Sequence, residues 1–145
     1  MTLRDWIELR PLDRLRPAAP LAVRAFLGVF LIYMSQDNVV SAARMQEFVL
    51  FLRANHFPAP ELAAPLSVYA QFTCGILIAA GLLTRWAAAV MVLHFVVAIA
   101  GAHLGQPFRT YLEPSAMLCC ALFLLLHGAG PISIDALLAR GRPRA

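Results

Sequence analysis

The 145-residue chain is 61% hydrophobic and only 14% charged, with a mean hydropathy of +0.72, whereas about a quarter of the residues in a soluble domain are charged. The net charge of +4 comes with twelve basic residues, all arginine and scattered at segment ends, so no basic patch interleaved with aromatics points to nucleic acid. The length suits one domain, and no polar segment is long enough to hold a second core.

Residues 1–19 are polar and arginine-rich and read as an N-terminal segment. The first apolar run follows, from Leu21 to Met34, interrupted by Arg24 and closed by Gln36, Asp37 and Asn38. A bilayer span needs roughly 20 apolar residues, and Pro20 at the start with Val39 and Val40 beyond extend the predicted span to about 20–40. A secretory signal cleaved near Ser41-Ala42-Ala43 is the rival reading; Arg24 inside the apolar run and the polar residues before that site argue against it.

From 41 to 55 the pattern changes. Met45, Phe48, Val49 and Leu52 recur at three- and four-residue steps among Arg44, Gln46, Glu47 and Arg53, the signature of an amphipathic helix too short and too charged to span. Its expected place is the membrane interface, with the apolar stripe in the lipid boundary. His56-Phe57-Pro58-Ala59-Pro60 then breaks the helix, because each proline removes a donor and restricts its predecessor.

Further spans are predicted at about 62–83, 86–104 and 111–127, the first two joined so tightly that they must form an antiparallel hairpin. Gly128-Ala129-Gly130-Pro131 stops the last one. A short interfacial helix is expected over 132–140, with Ser133 or Asp135 near its start, before the tail 141–145. The fold class is therefore an all-α integral membrane protein, an antiparallel four-helix bundle over 20–140 with a short interfacial helix between spans one and two. Orientation follows from the arginines: Arg4, Arg10, Arg14, Arg16, Arg85, Arg140, Arg142 and Arg144 share one side, against Arg44, Arg53 and Arg109 on the other. Short cytoplasmic segments carry the excess of positive residues, which places both termini in the cytoplasm.

Polar side chains within the spans are costly and so draw attention. Gln71 and His94 fall near the midplane of adjacent antiparallel spans and form a candidate intramembrane polar pair, which either serves function or only locks helix packing. At the outer surface the same reckoning of depth gathers Gln36, Asp37, His103, Arg109 and Glu113. A carboxylate beside an imidazole permits proton exchange, so this set suits a quinone headgroup or a proton path; the alternative is helix capping near water. Arg24, one turn inside the first span, is expected to snorkel to lipid phosphates, with an internal ion pair or anion contact as the other reading.

Haem is not expected, because His94, His103 and His127 lie at three different depths and no pair matches. Cys74, Cys119 and Cys120 sit in apolar runs without C-x-x-C spacing, so neither a disulfide framework nor a metal site is expected.

These residues together resemble the DoxX family of small bacterial membrane proteins. Arg24, Leu27, Gly28, Phe30 and Leu31 look like its R-x-x-L-G-x-F-L opening, and Phe57-Pro58-Ala59-Pro60 like its F-P-x-P loop. Gly81-Leu82-Leu83-Thr84-Arg85, His103, Glu113 after Tyr111, and the closing 128–135 stretch are similar too, so the likeness covers about 21–139. The chain departs from the family pattern at Met34-Ser35-Gln36-Asp37, where many members have a glycine and a lysine, and at Gln71, where many have a glutamate. The resemblance implies a multi-pass protein of the bacterial inner membrane, associated with quinone-linked or oxidative-stress redox systems. The expected role is an accessory or anchoring subunit for a redox partner, with possible homo-oligomerisation. A quinone-binding oxidoreductase and a small-molecule carrier are the alternatives, and quinone is the one cofactor the polar set would suit.

Overall fold

The computed structural model describes residues 7, 9–103, 107 and 109–140, with the side chains of all of these except 11, 102 and 103. A 3-10 helix, Arg10–Ala18, leads into α1, Ala19–Val40. Proline in the first turn of α1 loses nothing there, since that N–H has no partner within a helix. Ser41 breaks the chain for a single residue, extended at φ −127°, and caps α2, Ala42–Ala54, by accepting from Arg44 N at 3.4 Å. After the proline-rich linker come α3, Pro60–Ala80, and α4, Thr84–Ala98, which runs on as a π turn, Ile99–His103. Helices α5, Arg109–His127, and α6, Ile134–Arg140, complete the described chain.

Four of these helices, α1, α3, α4 and α5, are long and apolar enough to cross a membrane. They form a ring in chain order, each packed on its neighbours and α5 closing onto α1. The tightest contact is the crossing of α1 with α3. A Cβ on Gly28 would fall 2.7 Å from Ala79 N and 2.8 Å from Gly75 O, so only glycine lets these backbones meet. The shared core contains Leu27, Leu31, Ile78, Ala88, Met91 and Leu124, all at most 1% exposed.

The α3–α4 hairpin turns on Gly81, at φ +70°, with Leu82 N donating to Leu77 O at 2.9 Å to satisfy the end of α3. Span three therefore starts at Thr84, two residues earlier than the sequence suggests, because Leu83 and Thr84 find a partner elsewhere: their N–H groups donate to the Asp135 carboxylate at 2.8 and 3.0 Å. Asp135 thus caps α4 from a helix fifty residues on, while Ser133 caps α6 by accepting from Ala136 N at 3.1 Å.

Two expectations are corrected. The apolar stripe of α2 is not left to lipid: Val49 and Leu52 are buried against Ala64 of α3, with Met45, Phe48 and Phe57 packed around them. Nor does Arg24 snorkel. It is 1% exposed and donates through Nη2 to Ile132 O at 2.6 Å, with Asp135 close enough to interact with it electrostatically. A guanidinium held in this way binds the start of α1 to the segment between α5 and α6, and reaching lipid phosphate would break that bond.

Candidate functional site

Helices α3 and α4 are closed together near their turn, where Ile78, Ala87 and Ala88 are buried and small side chains let the backbones approach. Toward their other ends they face an open volume. Beyond Phe95 no residue of α4 is buried, and α3 turns Ala64 and Val68 to α2 and the rest of the bundle instead. Between them lies a cavity of about 670 Å³, within the size range of small-molecule sites. One face of α3 (Ala63, Leu66, Ser67, Ala70, Gln71) and one face of α4 (Val90, Leu93, His94, Val97, Ala98) form its long walls. Phe48, Phe51 and Leu52 of α2, with Phe57, cover one end, and Arg109, Thr110, Glu113 and Pro114 of α5 line the remaining side.

The deep end of the cavity is polar. Gln71 lies about 16 Å along α3 from Pro60 and His94 about 15 Å along α4 from Thr84, at 1.5 Å per residue, so both reach mid-span from opposite directions. Gln71 Nε2 and His94 Nε2 stand 2.8 Å apart. With the amide nitrogen facing the ring, the amide donates and the imidazole accepts, which requires a neutral ring carrying its proton on Nδ1. The pair is half-buried and faces the cavity, so it is open to a ligand as well as to itself. Arg109 and Glu113, four residues apart on α5 and exposed, bring charge to the end away from the α3–α4 turn.

Of the residues singled out in the sequence, the fold thus brings Gln71, His94, Arg109 and Glu113 to one cavity. Asp37 does not line it; this exposed residue of α1 accepts from Ser41 N through its backbone carbonyl. The His103 side chain lies outside the described residues. The aromatic cover was not foreseen: Phe48 was legible as part of an amphipathic stripe, but nothing in the sequence tells which surface the stripe meets.

The remaining motif residues are architectural. Arg24 sits at the opposite end of the bundle, its Nη1 so close over Gly81 that any Cβ there would overlap it. Arg85 donates to Leu126 O at 3.1 Å and so ties the α3–α4 turn to the end of α5. Gly28 makes the helix crossing, and Pro58 belongs to the linker that carries Phe57.

No curated protein and no solved structure matches the chain at a significant level. A family model does: DoxX matches residues 19–104, which takes in α1 to α4, the Gln71–His94 pair and the linker with Phe57. With more than half of the sequence matched and four membrane-crossing helices in the fold, this multi-pass membrane protein belongs to the DoxX family.

Proposed function

We propose that the protein is a quinone-binding subunit of a membrane redox system in the bacterial inner membrane, with both termini cytoplasmic. The observation that carries this reading is the 670 Å³ cavity, mostly apolar and aromatic, with the Gln71–His94 pair at mid-membrane depth. Quinones are planar rings whose carbonyl oxygens accept hydrogen bonds. An imidazole proton on His94 Nδ1 and the second amide proton of Gln71 supply donors for such a ring, and Phe57 and Phe51 supply faces for it to lie against. Glu113, at the water-facing end, is an ionisable group through which protons exchange with the outer phase. The glutamate found in many relatives at the position of Gln71 is replaced here by a group that binds without ionising, which favours holding the ring over moving its protons at that depth.

An accessory role beside a redox partner agrees with this reading, since a quinone site on a small membrane subunit delivers or accepts reducing equivalents for the assembly it joins. Native mass spectrometry of the protein extracted gently from its own membrane tests it. The expected spectrum holds a quinone that is lost from His94→Ala and Gln71→Ala, together with any co-purifying subunit. A wild-type protein that retains no quinone and takes up none when it is added would sink the reading.

A further inference from the structure

The linker end of the cavity and its α3–α4 side differ in chemistry. Toward the linker it is covered by Phe48, Phe51 and Phe57, with Leu52 beneath them at 6% exposure. Phe57 is seated there by the π turn of α4: a Cβ on Gly101 would fall 2.5 Å from Phe57 Cε2, so the glycine leaves the notch the ring occupies. His56 and Ala59 on either side are left-handed, at φ 55° and 47°, a conformation non-glycine residues adopt at a cost and keep when the surroundings fix it. Arg53 and Glu61 pair across the same linker. Backbone irregularity within a membrane protein is tolerated where it lines a cavity, and here it shapes the cover.

Among the described residues, the side between α3 and α4 carries no such aromatic cover. Leu66 and Leu93 flank it at 68% and 66% exposure, with Val90 and Val97 farther along at 45% and 43%. Every one of these side chains is aliphatic, and in a four-span bundle this flank faces acyl chains.

We propose that the gap between α3 and α4 is a lateral portal through which the apolar chain of the bound molecule extends into the bilayer while its ring stays beside Gln71 and His94. The inference rests on the quinone reading and narrows it: the ligand is a chain-bearing quinone that arrives from the lipid phase and leaves the same way. Phe57 in its glycine notch closes the linker end.

The test uses the full chain in lipid nanodiscs, titrated with a decyl-substituted benzoquinone and with the same ring lacking the chain. The variant Leu66→Trp/Leu93→Trp narrows the portal at two residues that also line the cavity, so its folding is checked separately by thermal unfolding. The portal predicts that the decyl compound loses about tenfold more affinity than the bare ring. Unchanged affinity for the decyl compound, or equal losses for both ligands, would overturn it. Wild-type protein that binds neither ligand removes the quinone reading along with the portal. Gly101→Val, which displaces Phe57, separates the routes. Because Phe57 also touches the ring, the route is read from association: the decyl compound associates within about twofold of the wild-type rate if it enters through the portal, and a tenfold acceleration would assign the route to the aromatic cover instead.

Discussion

Arg24 carries a charge to a position only 1% exposed, where one of its amino groups is bonded to Ile132 O and Nε and Nη1 have no partner among the described residues. Its worth is therefore set by what its removal strands. Arg24→Leu leaves the Ile132 carbonyl and the nearby Asp135 without their cation, and thermal unfolding in detergent is expected to lose about 1.5–3 kcal/mol, the scale of a hydrogen bond to a charged group. Arg24→Lys keeps the charge without the planar fork and recovers only part of that loss. Gly81→Ala is expected to destabilise by about 1–2 kcal/mol from its left-handed backbone alone, and by more because the added methyl displaces the guanidinium. If Gly81→Ala melts with wild type, the close approach of Arg24 to the turn is wrong. In the sequence Arg24 stands out as a charge within an apolar run, yet its partner lies 108 residues away, beyond the reach of any local pattern.

At the scale of elements, the helices follow from hydrophobicity, and their contacts follow from the few positions where side chains are missing. Gly28→Val places a branched side chain where even a single Cβ lies 2.7 Å from the backbone of α3. The crossing must open, and a loss at the upper end of about 1–3 kcal/mol is expected for overpacking, read as a lowered unfolding midpoint. For α2, Leu52→Ala is expected to cost about 2 kcal/mol or more, because Leu52 is buried against α3; a helix whose stripe lay in lipid would lose far less. The periodicity of 41–55 disclosed this helix and its apolar face correctly. It did not disclose the partner, because a stripe of Phe, Val and Leu suits lipid and protein equally well. The same ambiguity hid the cavity: the i, i+4 spacing of Leu66 with Ala70 and of Leu93 with Val97 marks helix faces without saying what they face.

For the whole molecule, the ring of four spans puts the start of α1, the α3–α4 turn and α6 at one end and the cavity toward the other. The arginine bias predicts that the first end is cytoplasmic. A cysteine placed at Arg140 is therefore expected to resist a membrane-impermeant maleimide in intact cells, and one at Arg44 to react; the reverse pattern would invert the orientation and turn the cavity toward the cytoplasm. The number and order of the spans and the amphipathic helix were settled by the sequence alone, because lipid leaves few choices: long apolar segments become helices whose backbone groups bond internally. The family resemblance was legible too, since its motifs are local. Only the tertiary structure decided that Gln71 meets His94 within hydrogen-bond distance and that Arg24 is locked inside the fold. It alone decided that α3 and α4, closed by small residues at their turn, part to leave a cavity roofed by α2. Those outcomes depend on how helix faces pack across long separations in the chain, and a pattern of apolar residues specifies that a face is buried without specifying against what.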